Sequence, residues 1–163
     1  MQNNIRVRWL VDELDRQILM LLQKDGRVSN AALARTVGLV PSAVLERVRK
    51  LEARGVIKGY RAVLDEVQIG LPLLAFIHVK TKDGCWSDDT SNKLKEIPYV
   101  LEVHSITGDD CYLVKLRARD TSHLNDMLRD YLKPIETIVS THTTIVLERT
   151  KESTVLPVEG TDD

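Results

Sequence analysis

Apolar positions recur with helical spacing through the first fifty residues. Leu14, Ile18, Leu21 and Leu22 form one stripe, and Asp12 stands where it can cap a helix running to about Gln23. Lys24-Asp25-Gly26-Arg27 interrupts the pattern. Ser29 is a favoured N-cap for a second helix through about Val37, with Ala32, Leu33 and Val37 turned inward. Gly38 closes it, because a left-handed residue at a helix end is accommodated best without a Cβ. Pro41 opens a third helix at the position where a missing N–H costs nothing, and Gly55 marks its end just past Arg54.

The third helix has two unlike faces. At about 100° per residue, Val44, Val48 and Leu51 fall together, while Ser42, Glu46 and Arg49 lie opposite. Ala43 and Lys50 flank that outer side, and Arg47 and Arg54 lie further round. A short helix, a glycine turn and a helix with a cationic outer face make a helix-turn-helix, whose second helix enters the major groove of double-stranded DNA. Arg can bond bidentately to guanine, Ser to bases or phosphate, and Lys50 and Arg54 suit phosphates. Glu46 either accepts from cytosine or orients a neighbouring Arg. The competing view is a solvated charged face on an ordinary three-helix bundle; turn, cap and face together favour DNA.

Beyond Gly55 the period changes. Val56–Leu64 favours extended structure and predicts a short strand or wing. Then follow a strand over 73–80, a helix over 88–97, a strand over 100–107, a turn at Gly108-Asp109-Asp110, a strand over 111–118, a helix over 122–132 and a strand over 139–147. The order βαββαβ is the ferredoxin-like plan, four antiparallel strands with both helices on one face. The fold class is therefore α+β, a winged helix-turn-helix followed by a ferredoxin-like domain. Apolar residues at neighbouring strand positions, as in Leu73–Ile77 and Thr144–Leu147, call for burial on both faces, which pairing of sheets between two copies would supply. The expected divisions are 1–55 for DNA binding, 56–70 for the strand/wing linker, 71–150 for effector binding and dimerisation, and 151–163 for a mobile tail.

Charge sharpens this division. Residues 1–64 carry twelve Lys/Arg against six Asp/Glu, whereas residues 65–163 carry eleven against eighteen, so a net −1 conceals halves of +6 and −7. A basic first module suits a polyanion, and an acidic second one stays off it. The longest apolar run, Leu71–Ile77, is broken by Pro72 and too short for a bilayer, and the first eleven residues, with Arg6 and Arg8, lack the apolar core of a secretory signal. Cys85 and Cys111 make no disulfide framework, and a reducing, cytoplasmic compartment is the simpler expectation.

Candidate chemistry elsewhere is sparse. His78, His104, His142 and Cys111 fall on strands of one sheet and have soft-metal donor types, but no close-spaced ligand pair accompanies them. A buried thiol with scattered histidines is the preferred reading, without a metal or other cofactor. Asp109-Asp110 reads as a turn rather than paired carboxylates, and no nucleophile–base pattern supports an enzyme. Trp9, Trp86 and Tyr99 are expected to be packing or loop anchors.

Two ordered blocks resemble the leucine-responsive/asparagine-synthase regulator (Lrp/AsnC) family over roughly residues 11–150. The first runs Leu14-Asp15-Arg16-Gln17-Ile18-Leu19, Val37-Gly38-Leu39-Val40-Pro41-Ser42, Glu46-Arg47-Val48-Arg49-Lys50-Leu51-Glu52 and Gly55-Val56-Ile57-Lys58-Gly59-Tyr60; the second is Ile106-Thr107-Gly108-Asp109-Asp110-Cys111-Tyr112-Leu113-Val114. The resemblance implies a transcription regulator of amino-acid or nitrogen metabolism, a homodimer that often assembles into tetramers, octamers or hexadecamers, and an amino acid or related metabolite as effector. It implies DNA contacts by Ser42, Ala43, Glu46, Arg47, Arg49 and Lys50. It implies an effector pocket near Thr107, Gly108, Asp109, Asp110 and Cys111, with Thr141 and Thr143. Two positions depart from the family pattern. Val40 replaces a capping Ser or Thr, and Cys111 stands where an aspartate often pairs with a ligand's ammonium. The second departure leaves open an architectural DNA-binding protein that senses nothing.

Overall fold

The computed structural model describes residues 11–85 and 87–158. Arg6, Arg8, Trp9, Trp86 and the 159–163 end of the tail, all named above, lie outside the described residues. The described residues form two compact units, one of 11–63 with 152–158 and the other within 64–151.

The first unit contains α1 (Glu13–Lys24), α2 (Asn30–Val37) and α3 (Pro41–Ala53). Asp12 caps α1 through a hydrogen bond from the Asp15 backbone N–H (2.8 Å), and the Asp15 side chain returns to the Asp12 N–H, satisfying two otherwise orphaned donors. Ser29 accepts from Ala32 N–H at the start of α2, and Gly38 (φ 72°) ends it in the left-handed region, as expected. Pro41 opens α3, whose N-cap Val40 supplies no side-chain bond. Ile18, Leu33, Ala34, Val37, Val44 and Val48 make the core, with Leu14, Leu21, Leu22 and Ile57 packed against it.

The expected wing does not form: residues 56–64 enter no strand pairing, because no neighbouring strand offers them a ladder. They are held instead by side chains. Tyr60 donates to Glu52 of α3 (3.1 Å), and its ring lies so close to Gly26 that a Cβ there would come within 3.3 Å. The tail also departs from expectation. The Gln23 amide donates to Leu156 C=O (3.0 Å) and accepts from Leu156 N–H (2.7 Å), which fixes the returning segment to α1. A primary amide offers both halves of a peptide's hydrogen-bonding pattern, so it holds a backbone segment without a strand beside it.

The second unit is β1 (Leu73–Thr81), α4 (Asp88–Lys95), β2 (Val100–Ser105), β3 (Tyr112–Ala118), α5 (Thr121–Met127) and β4 (Ile138–Ile145). The sheet is antiparallel in the order β2-β3-β1-β4, the ferredoxin-like arrangement expected from element order. After α5 the chain widens into a looser turn over Leu128–Leu132, closed by Lys133 N–H on Leu128 C=O (3.0 Å). Alternation along β1 sends Ala75, Ile77 and Val79 into a core with Tyr112, Val114, Leu116, Leu94, Leu124 and Met127. Tyr99 anchors a loop by placing its ring edge-on to His123, centroids 4.9 Å apart. Residues 64–70, expected as linker, are tied into this unit: Glu66 pairs with Arg117 (3.2 Å) and with Arg149.

The cysteines correct the sequence expectation. Cys85 and Cys111 form a disulfide, because the β1–α4 connection and the start of β3 arrive at the same end of the sheet. Closing the loop between positions 26 apart contributes about 3 kcal/mol in a chain-entropy account. Among the described residues, no helix is long and apolar enough to cross a membrane.

The Asp12 cap carries a pH signature. The Asp15 N–H and then Arg47 hold its carboxyl below the usual carboxylate range, against the opposing effect of burial. A lowered folded-state value stabilises the protein above the ordinary carboxylate range, and the benefit is lost as pH falls through that lowered value. Asp12→Asn should therefore be less stable than the parent at neutral pH by at most about 1 kcal/mol, since the group is half exposed. Urea unfolding at stepped pH should show the two proteins converging toward pH 2.

Candidate DNA interface and effector turn

Behind α3, Val44, Val48 and Leu51 are buried, which fixes the rotation of the helix about its axis. Ser42, Glu46, Arg49, Lys50 and Arg54 are consequently exposed on the outer side, with Ala43 half-buried among them. Lys50 lies 2.6 Å from Glu46 one turn earlier, and its ammonium holds that carboxyl below the usual range. Arg49 has no hydrogen bond or ion pair among the described residues, so its five donors are directed to solvent.

Arg47, expected among the DNA contacts, is differently engaged. Its Nη1 lies 2.7 Å from Asp12 Oδ2 and 2.7 Å from Asp15 Oδ1, joining α3 to the start of α1. Both carboxylates hold the guanidinium more firmly protonated. A donor group shared between two carboxylates, one of them on the buried Asp15, is committed to the protein. The D-x-x-D box opening α1 was the available sequence signal, but it reads first as a cap. Arg35, exposed on α2 and without a hydrogen bond or ion pair among the described residues, was also overlooked. Its position on the outer side of the shorter helix was the signal.

The second site centres on the connection between β2 and β3. Thr107, Gly108 and Asp109 are exposed, and Gly108 adopts φ 116°, a conformation that side chains disfavour. The turn is fastened at its base: Ile106 N–H donates to Cys111 C=O (3.0 Å), and Cys111 N–H to Val79 C=O (2.8 Å). Asp110 Oδ2 approaches His78 Nδ1 at 3.5 Å. Cys111 is only 4% exposed and spent in its disulfide.

Thr141 and Thr143 do not join this group within one chain. They pair in register with Val79 and Ile77, so they share the helix-side face of the sheet, and β1 separates β4 from β3. His142, unforeseen at this site, lies instead on the open face, opposite His78 with ring centroids 6.2 Å apart. His104, Leu113, His78 and His142 form one row across the four strands. On the same face Glu102 sits between His104 (2.8 Å) and Lys115 (3.1 Å), which together lower its pKa, His104 contributing more. No three His, Cys, Asp or Glu side chains converge as metal ligands among the described residues. A cleft of about 360 Å³ on the helix side is lined by Lys93, Glu96, Tyr131 and Pro134 among others, and by none of the expected effector residues.

This pairing of a three-helix unit with a ferredoxin-like sheet matches known proteins along nearly the whole chain. Residues 11–52 match the AsnC-type helix-turn-helix domain, and residues 74–156 match the Lrp/AsnC ligand binding domain. The chain belongs to the Lrp/AsnC family. It is 39% identical over 153 residues to the HTH-type transcriptional regulator FL11 of Pyrococcus furiosus, covering 94% of this chain and all of that one. It is 36% identical over 151 residues to the leucine-responsive regulatory protein of Escherichia coli, covering 91% and 92%. Among solved structures, a Neisseria meningitidis regulator in complex with L-Met superposes with TM-score 0.84 at 30% identity, covering 91% and 97%. AsnC of Escherichia coli gives 0.84 at 31%, covering 91% and 100%. This Lrp/AsnC member is thus a transcriptional regulator with a DNA-binding helix-turn-helix and a ligand-binding domain, and it is not an enzyme.

The two arginines of α3 should separate cleanly in a stability assay. Arg47→Ala leaves two carboxylates without their cation and should cost about 1–3 kcal/mol. Arg49→Ala, at an exposed position without contacts, should stay within about 0.5 kcal/mol of the parent. Urea midpoints of the full chain at neutral pH compare them directly.

Proposed function

We propose that this protein is a cytoplasmic, sequence-specific regulator of amino-acid or nitrogen metabolism genes, whose DNA binding responds to an amino acid. The observation that carries the DNA half is the outer face of α3, where Arg49 is uncommitted while Arg47 and the Val44/Val48/Leu51 face hold the helix from behind. Arg49 reads a base edge, Ser42, Ala43 and Glu46 line the same groove, and Lys50 and Arg54 meet phosphates. Arg47 acts as a positioning residue. Arg35 on α2 is a further phosphate contact.

The effector half centres on Thr107, Gly108, Asp109 and Asp110, with His78 beside them. Support comes from the L-Met bound to the related Neisseria protein and from the carboxylate of Asp110, which suits an ammonium where Cys111 cannot. Thr141 and Thr143 enter the pocket from a neighbouring copy, since within one chain β1 stands between them and the turn. Homodimers pair through the open sheet face, where Phe76, His78, Leu113 and Lys115 are half-buried before any partner arrives, and dimers assemble further into an octamer. Effector acts by binding one assembly state more tightly than another.

A second reading is favoured by the disulfide at Cys111: an architectural DNA-binding protein without an effector. Thermal shift against the twenty amino acids discriminates. A stabilisation by one of them at millimolar concentration or below supports the regulator, and none supports the architectural protein.

Arg49→Ala should weaken operator binding by about 1–3 kcal/mol and relax sequence preference, whereas Lys50→Ala should weaken all sequences alike and flatten the salt dependence by about one unit of slope. Fluorescence anisotropy across a salt series measures both. An unchanged affinity for Arg49→Ala at every salt concentration would remove Arg49 from the interface.

A further inference from the structure

We propose that Cys85–Cys111 is a reversible thiol–disulfide modification site, through which a cellular dithiol sets the rigidity of the 106–111 turn. The position of the bond suggests this. One sulfur belongs to the connection between β1 and α4, and the other to the residue that closes the turn. Cys111 fastens the turn through both of its backbone groups, to Ile106 on one side and to Val79 on the other. Among the described residues no other backbone hydrogen bond anchors the exposed residues 107–109 between those fastenings, so what holds Cys111 holds the turn.

The opposite end of the bond is independently braced. Thr81 Oγ1 donates to Gly84 C=O (3.2 Å), and Thr90 Oγ1 donates to Asp83 (2.9 Å). The disulfide therefore ties the turn to a fixed point rather than to another loose loop. Two unbonded sulfur atoms need a van der Waals separation far greater than a covalent bond, so reduction makes the less braced partner move. That partner is the turn.

The bond is also reachable. Cys85 is half-buried while Cys111 is buried, so an incoming thiolate meets the Cys85 sulfur first. A dithiol reductant attacks Sγ of Cys85, the Cys85–Cys111 bond breaks, and Cys111 leaves with the electron pair and takes up a proton. The reductant's second thiol then attacks the mixed disulfide and releases Cys85 as a thiol. Two electrons and two protons pass to the protein while the dithiol becomes a disulfide, and the reverse exchange with a disulfide of the same class restores the bond. Disulfides in intracellular proteins divide between permanent staples, common in hyperthermophiles, and reversible redox sensors. A half-exposed sulfur at the base of a ligand turn fits the second class.

For ligand sensing, the consequence rests on the effector reading given above; the thiol chemistry and its effect on the turn do not. The test uses the full chain with thioredoxin, its reductase and NADPH, without denaturant. Two free thiols per chain should appear, exchange of the hydrogen-bonded Ile106 and Cys111 amides should accelerate at least tenfold, and diamide should reverse both. Cys85→Ser and Cys85→Ala should show the fast exchange with or without diamide; the reduced parent supplies the same comparison should either variant fold poorly. A bond that survives the thioredoxin system is a permanent staple and overturns the proposal. So does a pair of thiols that diamide cannot join, or reduction that leaves exchange of the Ile106 and Cys111 amides within twofold. L-methionine titrated into both redox forms separates the two ideas. Redox-dependent exchange with no L-methionine binding in either form upholds the modification site and counts against L-methionine as effector.

Discussion

The guanidinium of Arg47 lies 2.7 Å from carboxylate oxygens of both Asp12 and Asp15, and the orientation of α3 depends on that contact. Hydrophobic packing of Val44, Val48 and Leu51 decides which face of α3 is buried, but packing alone permits sliding along the helix axis. A charged group bonded to two acceptors at the start of α1 removes that freedom, because both partners are themselves fixed by the capping box. The contact matters more because Val40 provides no side-chain cap, leaving the N-terminus of α3 to Pro41 and the neighbouring helices. Arg49, two residues along and on the other side, is thereby presented in a constant direction. One arginine is held by protein while the other stays exposed on the outer face.

The sheet unit shows the opposite economy of contacts. Its helix side is closed by α4, α5 and the Ile135 region, whereas its other face carries a row of three histidines with Leu113 and a partly paired Glu102. Among the described residues no helix covers that face, and the 106–111 turn lies at its edge. The disulfide is the strongest constraint on this edge. It lies on the residue that closes the 106–111 turn, so the turn is tied covalently to the β1–α4 connection.

Much of this was legible from residue order. The caps at Asp12 and Ser29, the glycine at 38 and the proline at 41 locate three helices, and period-two alternation with one acidic turn gives the sheet and its topology. Features that depend on distant partners were not. The segment 56–64 has strand-forming residues, but a strand needs a neighbour, and Tyr60–Glu52 holds it without one. Arg47 sits on the polar arc with the residues expected to face DNA, and only the three-dimensional approach of α1 shows its pairing with Asp12 and Asp15. Cys85 and Cys111 are 26 positions apart, a spacing that resembles nothing until the sheet brings the two segments together. Thr141 and Thr143 alternate correctly for a strand, yet register alone decides that His142, not they, faces His78.

The central claim is that the outer side of α3 meets the duplex. A photo-crosslinking phenylalanine analogue placed at Glu46, and separately at Tyr131 on the helix side of the sheet unit, tests it directly on the intact protein bound to its operator. Irradiation should couple position 46 to DNA and leave position 131 uncoupled. Crosslinks from 131 with none from 46, under conditions where both variants bind, would contradict the account.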